Sequence, residues 1–196
     1  NELSHPFQYE RAHYNRLIRK ALIGLQRLDV DHLVISGDIG HCGIPAEFAS
    51  FEAAVRATDW VEKMTLVPGN HDRFNLYEGY YDRRIEDFFD VVSPGEPRFR
   101  EPLDGLGVFE IDSNRDPEEP LPDSERLLPN AMGSLADREL KLLEESLEAF
   151  EGNWFFVVLH HHISQDWYIK KTTNFGGLMA PLSEAERLVD VLSVDN

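Results

Sequence analysis

Three short stretches of this chain put oxygen and nitrogen donors directly behind apolar runs: Gly37-Asp38, Gly69-Asn70-His71-Asp72 and His160-His161-His162. Asp38 offers a carboxylate and Asn70 a neutral amide oxygen, while each histidine offers an imidazole that donates or accepts near pH 7. Asp72, next to His71, is a carboxylate able to orient an imidazole. Turn geometry alone accounts for Gly37-Asp38, because turns use both residues for backbone reasons. It does not account for the second stretch, since a turn calls for Gly and for Asn but not for His followed by Asp. A run of histidines by itself is as compatible with a solvated loop as with a ligand set. Together the three stretches supply a carboxylate, an amide oxygen and an imidazole, a mixture that suits iron, manganese, zinc or cobalt. The absence of thiolates argues against a cysteine-built structural zinc site. Cys42, the single cysteine, has no identifiable base partner and reads as a small buried or loop residue rather than a nucleophile.

The elements that must position these donors are legible as alternating patterns. Apolar residues at three- and four-residue spacing from Glu10 to Leu28 predict an amphipathic helix. The run from His32 to Ile35 predicts a buried strand, Pro45 opens a second helix through Phe48, Phe51, Ala54 and Val55, and Lys63 to Val67 predicts a second strand halted by Pro68-Gly69. A short helix over Asp82 to Phe89, a turn at Pro94 to Pro97 and a strand over Val108 to Ile111 follow. Residues Asp116 to Pro129, rich in proline and acid, read as an exposed loop or insertion. Ser134 with Asp137, and Ser183 with Glu186, match capping-box spacing at the head of two more helices. The run from Trp154 to Leu159 predicts a strand running into the histidines. Strands alternating with helices predict an α/β layered fold in one domain over residues 1–196, with sites on the loops at the carboxyl ends of strands. All three donor stretches fall on such loops.

These residues resemble the calcineurin-like metallophosphoesterases, whose motif series runs Asp-x-His, Gly-Asp, Gly-Asn-His-Asp/Glu, a later strand-end His, then Gly-His-x-His. Gly37-Asp38 looks like the second motif, Gly69 to Asp72 like the third and His160 onward like the fourth, and the similarity spans about residues 10 to 192. The resemblance implies an α/β/β/α sandwich and hydrolysis of a phosphate ester, a phosphodiester foremost. The attacking hydroxide would come from water activated between two divalent cations about 3.5 Å apart, with manganese, iron and zinc as the candidates. It implies that Asp38 bridges the two metals and that Asn70 and one histidine bind the second. His160 is favoured as the first after the strand, with His161 as the fallback. His71 would stand outside the metal shell, stabilising charge on the phosphoryl oxygens or protonating the leaving oxygen, with Asp72 fixing its ring.

No Asp-x-His precedes Gly37 and no Gly-His-x-His follows Ser183. The sandwich is therefore expected to be incomplete at both ends, and the isolated chain to bind metal weakly and turn over little. A phosphoesterase-like scaffold that binds a protein partner is the rival reading. Asp112-Ser113-Asn114, another strand end, reads as a polar turn without a catalytic role. Arg73 reads as solvated or paired with an acid rather than as a phosphate contact, and His5, His13, His32 and His41 lack ligand-like neighbours.

Composition narrows the partners. The chain has 196 residues with 19 basic and 36 acidic side chains, a net charge of −17 that opposes nonspecific binding to nucleic-acid phosphates. A bound cation reverses that sign locally, so a small phosphorylated substrate remains compatible. Hydrophobic residues make up 42 % and aromatics 11 %, enough for a packed core and too much for an acidic disordered tail. The longest clean apolar run is far short of a bilayer span. A single cysteine fits a reducing, cytoplasmic setting.

Overall fold

The computed structural model of the chain describes residues 6–75, 80–81, 84–114, 133–163, 182 and 184–193. Helix α1 (Pro6–Gln26) and helix α2 (Pro45–Arg56) pack against the parallel pair β1 (Leu33–Ile35) and β2 (Met64–Leu66). Pro45 occupies the first turn of α2, where its missing N–H costs nothing, and Phe48, Phe51, Ala54 and Val55 form the buried face. Leu22, Phe48, Phe51, Trp60, Leu66 and Ile85 share one core. The Trp60 indole N–H donates to the Leu22 carbonyl at 3.0 Å, which anchors α1 on this layer.

A one-turn helix α3 (Asn70–Arg73) follows β2 and leads into the short pair β3 (Phe74–Asn75) and β4 (Tyr80–Tyr81). A single 3-10 turn, Arg84–Asp87, stands where the sequence predicts a helix over residues 82–89. The second sheet has the order β5 (Arg98–Leu103), β6 (Leu106–Glu110), β7 (Trp154–Val158), antiparallel then parallel. Strand β5 is not predicted from the sequence, because charged residues and Pro102 interrupt its apolar positions. Pairing explains its charges: Arg98 Nη2 and Arg100 Nε reach the fully buried Glu110 carboxylate at 2.6 and 2.9 Å. Helices α4 (Asp137–Ala149) and α5 (Ala185–Leu192) bury Leu140, Leu143, Ala185 and Leu188 against Phe109 and Ile111. Val67, Val92, Val108 and Val158 join the end of β2 to β6 and β7.

The expected cap of α4 is corrected: Ala136 holds the N-cap position and the Glu139 carboxylate, not Ser134, accepts its N–H at 2.6 Å. Glu184 is the N-cap of α5, and Ser183 lies outside the described residues, as does the acidic stretch 116–129. The expected burial of β1 is also corrected. Val34 is 46 % exposed, and on β7 Trp154 and Phe156 alternate outward at 68 % and 52 %, because no layer among the described residues covers those faces. The chain is a mixed α/β protein with helices on two sheets.

Candidate active site

Register explains how residues distant in number meet. In the parallel pair β1–β2, Ile35 stands opposite Leu66, so Asp38 and Gly69, each three residues further on, leave the sheet side by side. In the parallel pair β6–β7, Glu110 stands opposite Val158, which brings Ser113 and His161 to the same level. The four loops thus emerge from the carboxyl ends of parallel strands, where α/β sheets gather ligands.

Two glycines let the first pair of loops touch. A Cβ on Gly37 would overlap the Gly69 backbone nitrogen, and a Cβ on Gly69 would overlap Asp38 Oδ1. Gly37 adopts φ +92° and Asp38 itself sits in the left-handed region at φ +57°. A non-glycine residue held there stores strain, a feature that concentrates at functional sites.

The Asp38 carboxylate is divided between two tasks. Its Oδ1 accepts the His71 backbone N–H at 3.1 Å, and its Oδ2 stands 3.5 Å from His160 Nε2. His160 Nε2 is also 3.0 Å from Asn70 Oδ1, and its Nδ1 is 2.7 Å from the Ser36 carbonyl. A carbonyl only accepts, so Nδ1 carries a hydrogen, and Nε2 is the ring atom turned toward the two oxygens. Three electron-pair donors pointed at one another are stabilised by a cation among them. Donors held at about 2.1 Å by one cation stand about 3.0 Å apart at right angles and about 3.4 Å apart in a tetrahedron, matching the observed separations. Asp38, Asn70 and His160 therefore fit a divalent metal. Among the described residues no group of three or more His, Cys, Asp and Glu side chains is placed to hold a metal, and this set includes the amide of Asn70 instead.

No hydrogen bond joins His161 to the Asp38, Asn70 and His160 side chains, and its Nε2 is buried without a hydrogen-bond partner. Its ring is buried, perpendicular to His160 (84° between planes), with Nδ1 2.9 Å from Ser113 Oγ. Burial, followed by the neighbouring His160 and His162, pushes its pKa down to about 3, so it is a neutral core histidine. His162 is exposed.

His71 lies beside the cluster, but Asp72 does not fix its ring. Nδ1 of His71 donates to the His41 carbonyl at 2.8 Å, and the His41 imidazole stacks on it at 5.4 Å between centroids, 14° from parallel. Asp72 is fully buried behind the loops, where its oxygens accept the N–H groups of Gly40 at 2.8 Å and Gly69 at 2.9 Å. Burial raises its pKa to about 6 against the opposing pull of those N–H groups. It braces the loops of Asp38 and Asn70 together. The residue that orients His71 is one that sequence reasoning set aside, because the contact is made by a backbone carbonyl that any side chain would carry.

Arg73 is likewise buried and structural. It bonds Asp112 Oδ2 at 2.8 Å through Nε, Glu86 Oε1 at 3.0 Å and the Val92 carbonyl at 2.7 Å. Cys42 is buried, as expected. His32 Nε2 meets Thr65 Oγ1 at 3.0 Å between β1 and β2, away from the loop ends.

A search among curated proteins finds no match. The family model of the calcineurin-like phosphoesterases matches residues 5–188, a span that contains all four strand-end loops. On that match, the chain belongs to the calcineurin-like phosphoesterase family.

Proposed function

We propose that the protein hydrolyses a small phosphate ester, a phosphodiester foremost, at the cluster of Asp38, Asn70 and His160, with two divalent metals of the manganese, iron or zinc type. The approach of Asp38 Oδ2 and Asn70 Oδ1 to His160 Nε2, at 3.5 and 3.0 Å, carries this reading. Asp38, Asn70 and His160 would hold the metal, which would supply Lewis acidity to water and to the phosphoryl oxygens. The chain's own residues do the rest. Asp38 and Asn70 offer oxygen ligands from two abutting loops, and the Ser36 carbonyl keeps His160 in the tautomer whose Nε2 is free to bind. His71, its Nδ1 hydrogen committed to the His41 carbonyl, presents Nε2 as its working atom. Protonated there, it stabilises negative charge on the phosphoryl group or passes the proton to the leaving oxygen.

Three donors are fewer than a dinuclear cage needs, so Mn²⁺ binding by these residues alone is expected to be weak. Metal-dependent phosphoester hydrolysis is the activity of the family; a diester substrate, a metal pair and a cytoplasmic location complete this reading. No described helix is long and apolar enough to cross a membrane. The test is hydrolysis of a nitrophenyl diester and monoester by the protein with and without Mn²⁺. Asn70→Ala and His160→Ala should each lower the rate, by about 10–100-fold or more for groups bearing on a metal. Unchanged rates in both variants would refute the site. Absence of both Mn²⁺ uptake and hydrolysis in the unmodified protein would favour a partner-binding scaffold.

A further inference from the structure

The ladder between β6 and β7 ends where the Ile111 N–H donates to the Val158 carbonyl at 3.0 Å. Beyond it a side chain takes over from the backbone. Ser113, fully buried, accepts the N–H of His160 and the N–H of His161 at its Oγ, each at 3.2 Å. Both lone pairs of the hydroxyl are then used, so its own hydrogen goes to His161 Nδ1 at 2.9 Å. One oxygen atom therefore sets the direction in which the chain leaves β7, and with it where the His160 ring emerges.

The residues on either side of Ser113 hold the other half of the cluster. Asp112 Oδ2 receives Arg73 of α3, and Asp112 Oδ1 receives the Asn114 backbone N–H at 3.1 Å and side-chain N–H at 2.6 Å. The Asn114 amide also donates to the Pro68 carbonyl at 3.2 Å, two residues before Asn70. The Asp112-Ser113-Asn114 turn thus grips the loop of Asn70 with its outer residues and the loop of His160 with its middle one.

We propose that Ser113 is a positioning residue for the metal ligand His160, its hydroxyl holding the His160 backbone where Nδ1 reaches Ser36 and Nε2 faces Asn70 and Asp38. The proposal rests on the metal-site reading above. It assigns a function to a segment whose sequence reads as no more than a polar turn.

The experiment is Mn²⁺ titration of the metal-free protein, followed by calorimetry well below the unfolding temperature of each variant. Under those conditions a loss of global stability alone does not move the affinity of the folded protein. Ser113→Ala should weaken Mn²⁺ binding about 10–100-fold, the usual effect of removing a group that orients a metal ligand. Ser113→Thr, which keeps the hydroxyl, should restore it. If Ser113→Ala fails to fold, Ser113→Cys, of similar size but a poor acceptor, should show the same weakening. Wild-type affinity in the alanine or cysteine variant, with binding lost in His160→Ala, would overturn the proposal and leave the site standing. Equal loss in Ser113→Ala and Ser113→Thr would overturn it in favour of packing. Unaltered binding in every variant, His160→Ala included, would overturn the metal site itself.

Discussion

Gly69 shows how much chemistry a missing side chain supports. Its backbone lies against Asp38, and the space a methyl would take is already filled by Asp38 Oδ1 and the Asp38 backbone nitrogen. Its φ of −94° is open to any residue, so the requirement is one of room and not of backbone freedom. Gly69→Ala is expected to destabilise the fold by about 1–3 kcal/mol through overpacking. Because Asp38 is the group displaced, Mn²⁺ affinity should fall with it. Denaturant unfolding and Mn²⁺ titration of the variant check both halves, and wild-type affinity would show that Asp38 does not bear on the metal. At this scale the donor types were readable from residues alone, and the partners were not. Asp72 beside His71 invites a carboxylate–imidazole pair, yet one turn of helix directs the carboxylate inward to Gly40 and Gly69 and leaves the imidazole to the His41 carbonyl.

Helix α4 is held at its start by one carboxylate with two duties. Glu139, 2 % exposed, accepts the N–H of Ala136 at 2.6 Å and, across to the turn before β5, the N–H of Gly95 at 3.2 Å. Burial raises its pKa from 4.5 to about 7, against the pull of those two N–H groups and with help from Asp112 and Glu184. The folded state therefore holds this proton more tightly than the unfolded chain. The stability it contributes is fully present below pH 4.5 and is lost as pH rises toward 7. In Glu139→Gln, which does not titrate, the decline in denaturant midpoint between pH 5 and pH 7 should be smaller than in the unmodified protein. An equal decline would place the titration elsewhere. Capping-box spacing in the sequence located the start of this helix to within a few residues but chose Ser134. The residue that caps is decided by which carboxylate can turn back onto the backbone once Leu140 and Leu143 face the core.

Across the whole molecule, a net charge of −17 is spread over 196 residues and self-repulsion opposes the compact state. The described ion pairs relieve it locally. Asp90 is held below the usual carboxylate range by Arg98 and Arg100 despite partial burial, and Arg98 and Arg100 together meet the buried Glu110. Exposed acids without such neighbours are screened only by solvent ions, over about 10 Å at 0.1 M salt. Raising sodium chloride from about 0.01 M to about 0.15 M is therefore expected to raise the urea midpoint of unfolding. A midpoint that falls with salt would mean that ion pairs outweigh the repulsion.

What could be read from the sequence alone was the alternation of helices and strands, the order of the donor loops and the chemistry those donors could do. Each depends on neighbours in the chain: hydrophobic spacing, Pro45 and Pro68-Gly69 as boundaries, and His71-Asp72 as residues a turn does not need. Strand β5, the exposed faces of Val34, Trp154 and Phe156, the separation of His160 from His161, and the tasks of Ser113 and Asp72 were decided by the tertiary structure. These depend on pairing and packing beyond each residue's own stretch of chain, on strand register and on how two loops meet where they abut. Local sequence sets what a residue can donate or accept, and packing selects the atom that answers it.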